Sequence, residues 1–359
     1  MSNYITFTLQ GDYYAMGWQH GCQVRDLRPR IAEAIKARFR EIEEDGLDVR
    51  FEMPLREIRE LLQELEAPLL AMIQGQAQAL EFEFDTLLRY TLATYLYDLR
   101  RKPLDSEGCT TWAAAGSAAA GGQPILVKNR DGGPEYLPLQ IVIRATPASG
   151  YRYVCISSAG SPGVPCAGIN LAGLAVADTY VCSTDLGPGL PTCALMMHIL
   201  ENHDSVSSAV DYLRSVPRMG RKNLILADAQ GHLAVFEIGH RRYGLFETQD
   251  GVLVNTNHFV SPELQGCFVD TAPPLTRGNS SHRYEKVTRE LNAVWGRIDV
   301  PFAQRLMATH DGPLASICRH LTAGSDSATI STSIFLPVQR TMLFCHGLPC
   351  RGRYDSFAF

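Results

Sequence analysis

Gly108-Cys109-Thr110-Thr111-Trp112-Ala113-Ala114-Ala115 is the stretch on which the reading of this 359-residue chain turns. A polar run, Arg100-Arg101-Lys102-Pro103-Leu104-Asp105-Ser106-Glu107, leads into it, and its proline and the following glycine mark a loop. Upstream, after a short alternating segment from Tyr4 to Leu9, apolar residues recur at three-and-four spacing over Tyr13 to Glu44, Pro54 to Leu80 and Phe84 to Leu99, which predicts helices. Downstream, Cys109 to Ala115, Pro124 to Lys128, Leu139 to Arg144, Arg152 to Ser157 and Leu174 to Tyr180 read as strands separated by Gly, Pro and Ser. A helix is expected from Thr192 to Val216. Strands follow at Asn223 to Phe236, Tyr243 to Thr248 and Gly251 to Asn255, then helices at His282 to Val294 and Pro301 to Thr309, and a closing hairpin of Thr329 to Leu336 with Thr341 to Cys345. Elements in blocks favour an α+β fold with antiparallel sheets layered against helices.

Composition narrows the function classes. The chain is 45% apolar and 20% charged, which is ordinary for a globular protein. Net charge is -5 with no basic stripe, so nucleic acid is not an expected partner. The start, Met1-Ser2-Asn3-Tyr4-Ile5-Thr6, has no basic segment followed by an apolar run, and no stretch has the roughly 18 apolar residues of a membrane span. The expectation is a cytoplasmic protein with no membrane partner and reduced cysteines. Cys345 and Cys350, flanking a Gly-Leu-Pro turn, are the one pair spaced for a bridge, and the compartment argues against it.

The chemistry of Gly108-Cys109 follows from its position. A cysteine at the end of a polar loop is exposed to attack its own preceding carbonyl while the strand holds its side chain. Glycine before it removes a Cβ that would oppose that attack. Scission would leave Cys109 with a free α-amine of pKa near 8 beside a thiol of about 8.5, so one residue supplies nucleophile and base. Taken alone, a Gly-Cys pair is more often a loop glycine before a buried cysteine. Three further clusters alter that weighting. Lys128-Asn129-Arg130-Asp131 ends a strand twenty-two residues on (131 minus 109), where a carboxylate is placed to orient an ammonium. Val254-Asn255-Thr256-Asn257-His258-Phe259 ends another, and the Asn257 amide is a candidate oxyanion donor. Ser316-Ile317-Cys318-Arg319-His320 offers a guanidinium.

With these residues the chain resembles the peptidase C45 family, the acyl-coenzyme A:6-aminopenicillanic acid acyltransferase group of N-terminal-nucleophile (Ntn) hydrolases. Gly11-Asp12-Tyr13-Tyr14-Ala15-Met16-Gly17-Trp18-Gln19-His20-Gly21 is similar to its N-terminal helix signature and Gly108-Cys109-Thr110-Thr111 to its processing site. Asn129-Arg130-Asp131, Thr256-Asn257-His258-Phe259 and Ser316-Ile317-Cys318-Arg319 complete the set, and Gly168-Ile169-Asn170-x-x-Gly173-Leu174 resembles a familial structural turn. The resemblance implies a four-layer αββα sandwich cut at Gly108-Cys109 into a helical α chain, 1–108, and a catalytic β chain, 109–359, that stay associated. It implies Cys109 as nucleophile, Asp131 as amine-orienting carboxylate, Asn257 as oxyanion donor and Arg319 as active-site cation. The implied activity is an amidohydrolase or acyltransferase acting on small N-acyl amides or peptides through a Cys109 thioester, with a small-molecule substrate and an acyl acceptor as partners. Lys128 departs from the pattern, standing where bile-salt-hydrolase relatives often carry arginine. Trp112, three residues past the nucleophile, is a candidate pocket residue.

Other motifs carry less. His198 and His203 are five apart and diverge around a helix where a zinc pair needs four, and no Cys-x-x-Cys occurs, so no metal site is expected. Gly160 to Gly173 lacks a dinucleotide fingerprint, and no cofactor is expected. Two other classes compete: an uncleaved Ntn-fold binding protein, and a Cys-His enzyme using a different cysteine.

Overall fold

The computed structural model describes residues 4–43, 48–93, 108–164, 166–270, 272, 274, 276–321 and 327–359. The chain opens with strand β1 (Ile5–Gly11) and helices α1 (Tyr13–Gln23), α2 (Arg28–Glu43), α3 (Asp48–Leu65), α4 (Ala67–Leu80) and α5 (Phe84–Thr91). Six strands follow: β2 (Gly108–Ala115), β3 (Ile125–Gly132), β4 (Gln140–Pro147), β5 (Tyr153–Ser158), β6 (Ala167–Asn170) and β7 (Ala175–Tyr180). Helices α6 (Thr192–Asn202) and α7 (Val206–Ser215) precede β8 (Lys222–Ala227), β9 (Leu233–Ile238), β10 (Tyr243–Thr248) and β11 (Gly251–Asn255). Helices α8 (Asn279–Ala293) and α9 (Val300–Met307) and strands β12 (Ala328–Leu336), β13 (Thr341–His346) and β14 (Tyr354–Phe357) complete the frame.

The strands form two sheets, ordered β1-β4-β5-β6-β7-β8-β9-β10 and β11-β2-β3-β12-β13-β14. Strand alternation assigns each residue of the smaller sheet to one of two apolar layers. Ala113, Ala115, Leu126 and Phe335 pack with Val154, Ile169, Ile225 and Val235 of the larger sheet, and this layer lies between the sheets. Trp112, Ala114, Val127 and Ile334 pack outward with Val287, Leu291 and Leu306 of α8 and α9. The far face of the larger sheet, with Ile143, Val176 and Phe236, meets α1 to α7. Helices, sheet, sheet, helices: this is the four-layer αββα arrangement that the resemblance implies.

The upstream signature is a close helix crossing. A Cβ on Gly17 would sit 2.0 Å from the Met72 carbonyl oxygen, and one on Gly75 would sit 2.1 Å from that of Tyr14, so α1 and α4 touch backbone to backbone. Asp12 caps α1, accepting from Ala15 N–H at 2.8 Å, and His20 is buried against Phe7.

Three expected helices are each divided. The one expected over Pro54 to Leu80 breaks at Glu66, between α3 and α4. The run from Tyr13 breaks at Val24, where a 3₁₀ turn separates α1 from α2. Thr192 to Val216 breaks at His203, because Ser205 caps a second helix by accepting from Ser208 N–H. Asn223 to Phe236 is the β8–β9 hairpin, and β6 and β14 were not anticipated. Strand β1 pairs in parallel with β4, Ile5 opposite Ile141 through Gly11 opposite Pro147. Among the described strands it is the exception to the expected antiparallel pairing, with α1 to α5, β2 and β3 lying between the two along the chain. The closing hairpin is present, Ser331 opposite His346 and Leu336 opposite Thr341. The polar run 100–107 and the end of the helix expected to Leu99 lie outside the described residues.

Candidate active site

Register places the site. In the β2–β3 ladder Gly108 stands opposite Asp131, Cys109 opposite Arg130 and Thr111 opposite Lys128. Residues directly opposite share a face, so Cys109, Thr111, Arg130 and Lys128 look into the inter-sheet layer, while Gly108, Thr110, Asn129 and Asp131 look outward. Asp131 is therefore a neighbour of the residue before the nucleophile. Its Oδ1 accepts from Thr329 Oγ1 at 2.7 Å, and Arg319 Nη1 lies 3.5 Å from its Oδ2. Gly108 is wedged against this pair: a Cβ there would stand 2.4 Å from Arg319 Nη1 and 3.0 Å from Asp131 Oδ2.

Both ends of Cys109 are held. Its N–H donates to Asn257 Oδ1 at 3.0 Å, and its carbonyl accepts from Arg283 Nη1 at 2.6 Å. Arg283 is fully buried and reaches Thr110 Oγ1 at 2.8 Å, Asn257 Oδ1 at 2.7 Å and Asn279 Oδ1 at 3.0 Å. Because a guanidinium only donates, the atom of Asn257 facing it must be the oxygen, which fixes the amide's orientation. Asn257 Nδ2 then donates to Tyr180 O at 2.8 Å, using one of its two hydrogens. The turn that carries Asn257 is tied across the sandwich, Thr179 Oγ1 donating to Thr256 O at 2.6 Å and Asn223 Nδ2 at 3.2 Å.

The Cys109 thiol borders a cavity of about 210 Å³ whose walls include Lys128, Asp131, Tyr136, Cys166, Asp178, Tyr180 and Cys193, with Arg38 and Leu92 from the upstream helices. Lys128 crosses the inter-sheet space to Asp178 Oδ1 at 2.6 Å, and Lys222 reaches the other oxygen at 2.8 Å. Burial alone would raise the Asp178 carboxyl, but the two ammoniums outweigh it and hold it down at about 2. Burial pushes the Cys109 thiol up to about 11, with Lys128 opposing that rise and Asp178 and Asp131 adding to it.

Cys109, Asp131, Asn257 and Arg319, drawn from four separate segments, thus meet around the Gly108–Cys109 bond. Trp112 does not join them. Three residues on from Cys109 in a strand of period two, it faces the outer layer, fully buried, with Nε1 3.2 Å from Met307 Sδ. The structure adds Arg283 and the Lys128–Asp178–Lys222 cluster. An arginine five residues into a helix ordinarily reads as a solvated charge, so only the contacts reveal Arg283. Lys128 was visible in the sequence, without a partner. Asn170 of the glycine turn is structural: Oδ1 accepts from Leu174 N–H at 2.9 Å and Nδ2 donates to Leu200 O and His203 O. All ten cysteines are free, Cys345 and Cys350 included. No helix among the described residues is long and apolar enough to cross a membrane.

A four-layer sandwich with a cysteine at the start of a strand of the smaller sheet, bordering a cavity, is the arrangement expected of an Ntn-hydrolase type of protein. The sequence pattern of the acyl-coenzyme A:6-aminopenicillanic acid acyl-transferase family matches residues 118–350, more than half of the chain, and the protein belongs to that family. The match begins beyond Cys109. An uncharacterized protein of Archaeoglobus fulgidus is 22% identical over 346 residues; these cover 83% of this chain and 56% of the relative, so the chain spans little more than half of that protein's length. Among solved structures, a mutant of conjugated bile acid hydrolase from Clostridium perfringens is 15% identical with a TM-score of 0.46, covering 70% of this chain and 97% of its own. Penicillin V acylase from Agrobacterium tumefaciens is 17% identical with a TM-score of 0.41, covering 72% and 80%.

Proposed function

We propose that this chain is a precursor that cuts itself between Gly108 and Cys109, and that freed Cys109 then acts on the amide bonds of small N-acyl compounds or peptides. The observation that carries this reading is the clamp on Cys109: Asn257 and Arg283 hold its nitrogen and carbonyl while its thiol opens on a cavity. In the cut, Sγ attacks the Gly108 carbonyl carbon, the C–N bond breaks as the nitrogen takes a proton, and water hydrolyses the thioester. Gly108 leaves as a carboxylate and Cys109 keeps a free amine. That amine emerges on the Gly108 side of the strand, beside Asp131, whose carboxylate would orient it.

In turnover the amine takes the thiol proton, the thiolate attacks the substrate carbonyl, and the second hydrogen of Asn257 Nδ2 serves the tetrahedral oxyanion. Arg319 holds Asp131. Collapse releases the substrate's amine and leaves an acyl thioester, which water or an acceptor amine discharges. Family membership suits this chemistry.

The opposing reading is an uncut binding protein, and the thiol pushed up to about 11 in the intact chain favours it. Intact-mass measurement and N-terminal sequencing of fresh protein decide between them. Two fragments, one beginning at Cys109, are expected, and Cys109→Ala should stay whole. Processed protein offered N-acyl amino acids, small peptides and β-lactams should show an acyl adduct on Cys109. A chain that stays uncut and takes no adduct would sink the enzyme reading.

A further inference from the structure

Four side chains distant in sequence converge beside the smaller sheet, outside the cavity at Cys109. His310 follows α9, Cys318 and His320 flank Arg319 ahead of β12, and Cys350 lies in the turn after β13. His320 Nε2 is 3.0 Å from His310 Nε2, 3.4 Å from Cys350 Sγ and 3.8 Å from Cys318 Sγ. All four ligand atoms lie within 4.8 Å of one another. We propose that His310, Cys318, His320 and Cys350 bind one zinc ion as a closed, structural Cys2His2 site.

The donor set and its dimensions argue for zinc. Bonds of about 2.3 Å to sulfur and 2.0–2.1 Å to nitrogen give a tetrahedron whose edges run to roughly 3.3–3.8 Å. The measured separations bracket those edges. Two thiols and two imidazoles exclude the hard, oxygen-seeking cations, and four protein ligands leave no open position, the pattern of a structural ion. The ligands are eight, two and thirty residues apart (310 to 318, 318 to 320, 320 to 350), which is why a search for Cys-x-x-Cys passes over them.

The backbone around the cluster is built to hold it. Cys318 N–H donates to Thr309 O at 3.0 Å, tying two ligand segments together. Lys286 pairs with Asp311 and donates to Thr309 Oγ1 at 2.7 Å, anchoring the residues on both sides of His310. Gly347, at φ +83°, makes the left-handed turn that brings Cys350 round, and its N–H donates to Ile330 O at 2.8 Å. An ion here would clip the α9 exit, the segment before β12 and the C-terminal turn into one unit. Arg319, between two of the ligands, would have its backbone fixed from both sides while its guanidinium faces Asp131. That last consequence rests on the proposed catalytic reading; the site itself does not.

The test is metal content of the full-length protein, purified without chelator and without a histidine tag. Elemental analysis after desalting should find about one zinc per chain. Cobalt added to metal-stripped protein should give the intense visible bands of a tetrahedral ion and a near-ultraviolet thiolate charge-transfer band. The double variant Cys318→Ser/Cys350→Ser should lose both signals, and His310→Ala, at an exposed position where folding is spared, should weaken binding by at least about tenfold. Cys22→Ser, an exposed cysteine elsewhere, should change neither. Less than about a tenth of an equivalent in zinc-supplemented protein, unchanged metal in the double variant, or a Cys318–Cys350 disulfide in a non-reduced peptide map would each overturn the site. Scission at Gly108, scored by mass on the same samples, keeps this outcome separate from that of the catalytic reading.

Discussion

The side-chain oxygen of Asn257 accepts the backbone N–H of Cys109 at 3.0 Å, and the Arg283 guanidinium, 2.7 Å from the same oxygen, dictates that orientation. The two ends of the amide therefore have separable duties. Asn257→Asp keeps the acceptor and loses the Nδ2 donor, whereas Asn257→Ala loses both. Self-cleavage, followed by intact mass, should persist at a reduced rate in the Asp variant and fail in the Ala variant. Turnover by the processed Asp variant should fall by about 10²–10³-fold, the usual cost of one oxyanion donor. Equal cleavage by Asp and Ala variants would show that the oxygen is not what matters.

Gly108 is confined by the Asp131–Arg319 pair. Gly108→Ala forces the Arg319 side chain aside, and Gly108→Val, larger and β-branched, crowds the carbonyl that the thiol must attack. Cleavage should slow by about tenfold in the first and stop in the second, with little change in melting temperature because the displaced group is the end of a flexible side chain. A Gly108→Val chain that cuts at the parent rate would remove the steric argument.

Arg283→Met would take the guanidinium from two buried oxygens, Cys109 O and Thr110 Oγ1, and two part-buried ones, Asn279 Oδ1 and Asn257 Oδ1, the last keeping the Cys109 N–H. A loss of about 3 kcal/mol is expected, read as a lowered urea midpoint at constant slope. Arg283→Lys, which can serve only some of these acceptors, should fall between. A midpoint unchanged in the Met variant would mean that the buried guanidinium costs as much as it contributes.

Asp178 gives a pH signature. Its folded-state value of about 2 lies below the ordinary 3.8, so between them the unfolded chain binds more protons and stability rises with pH. The contribution, on the order of 2 kcal/mol, is complete above about pH 4 and disappears as pH falls toward 2. Asp178→Asn should be less stable at pH 5, where buried Lys128 loses its charged partner, yet flatter between pH 4 and 2.5. Parallel acid profiles for the two proteins, from urea titrations, would contradict this assignment.

Strand alternation and helical spacing made the layers legible: the start of β2, α8 and the β12–β13 hairpin lie where periodicity puts them, within a few residues. What escaped depends on partners remote in sequence. β14 is four residues long and exists because β13 offers it an edge, and the parallel union of β1 with β4 cannot be read from either strand alone. At the site, Cys109, Asp131, Asn257 and Arg319 were visible because each follows or ends an apolar strand or sits in a polar cluster. Arg283 carried no such mark. Trp112 was misplaced by counting distance along the chain, where parity along the strand decides the face.

The pairing of β1 with β4 bears on what remains after a cut at residue 108. The upstream part supplies an edge strand to the larger sheet, and α1 to α5 cover that sheet's outer face, so its apolar residues belong to a core shared with the downstream part. With that core shared, we expect it to stay in place after a cut rather than leave as a leader. Expressed alone, each half would expose the surface the other covers and should aggregate, whereas co-expressed halves should assemble as a split protein. A downstream half begun at Cys109 would need no self-cleavage, and its dependence on the upstream half in trans would measure how far the helices serve as scaffold rather than as a gate on maturation.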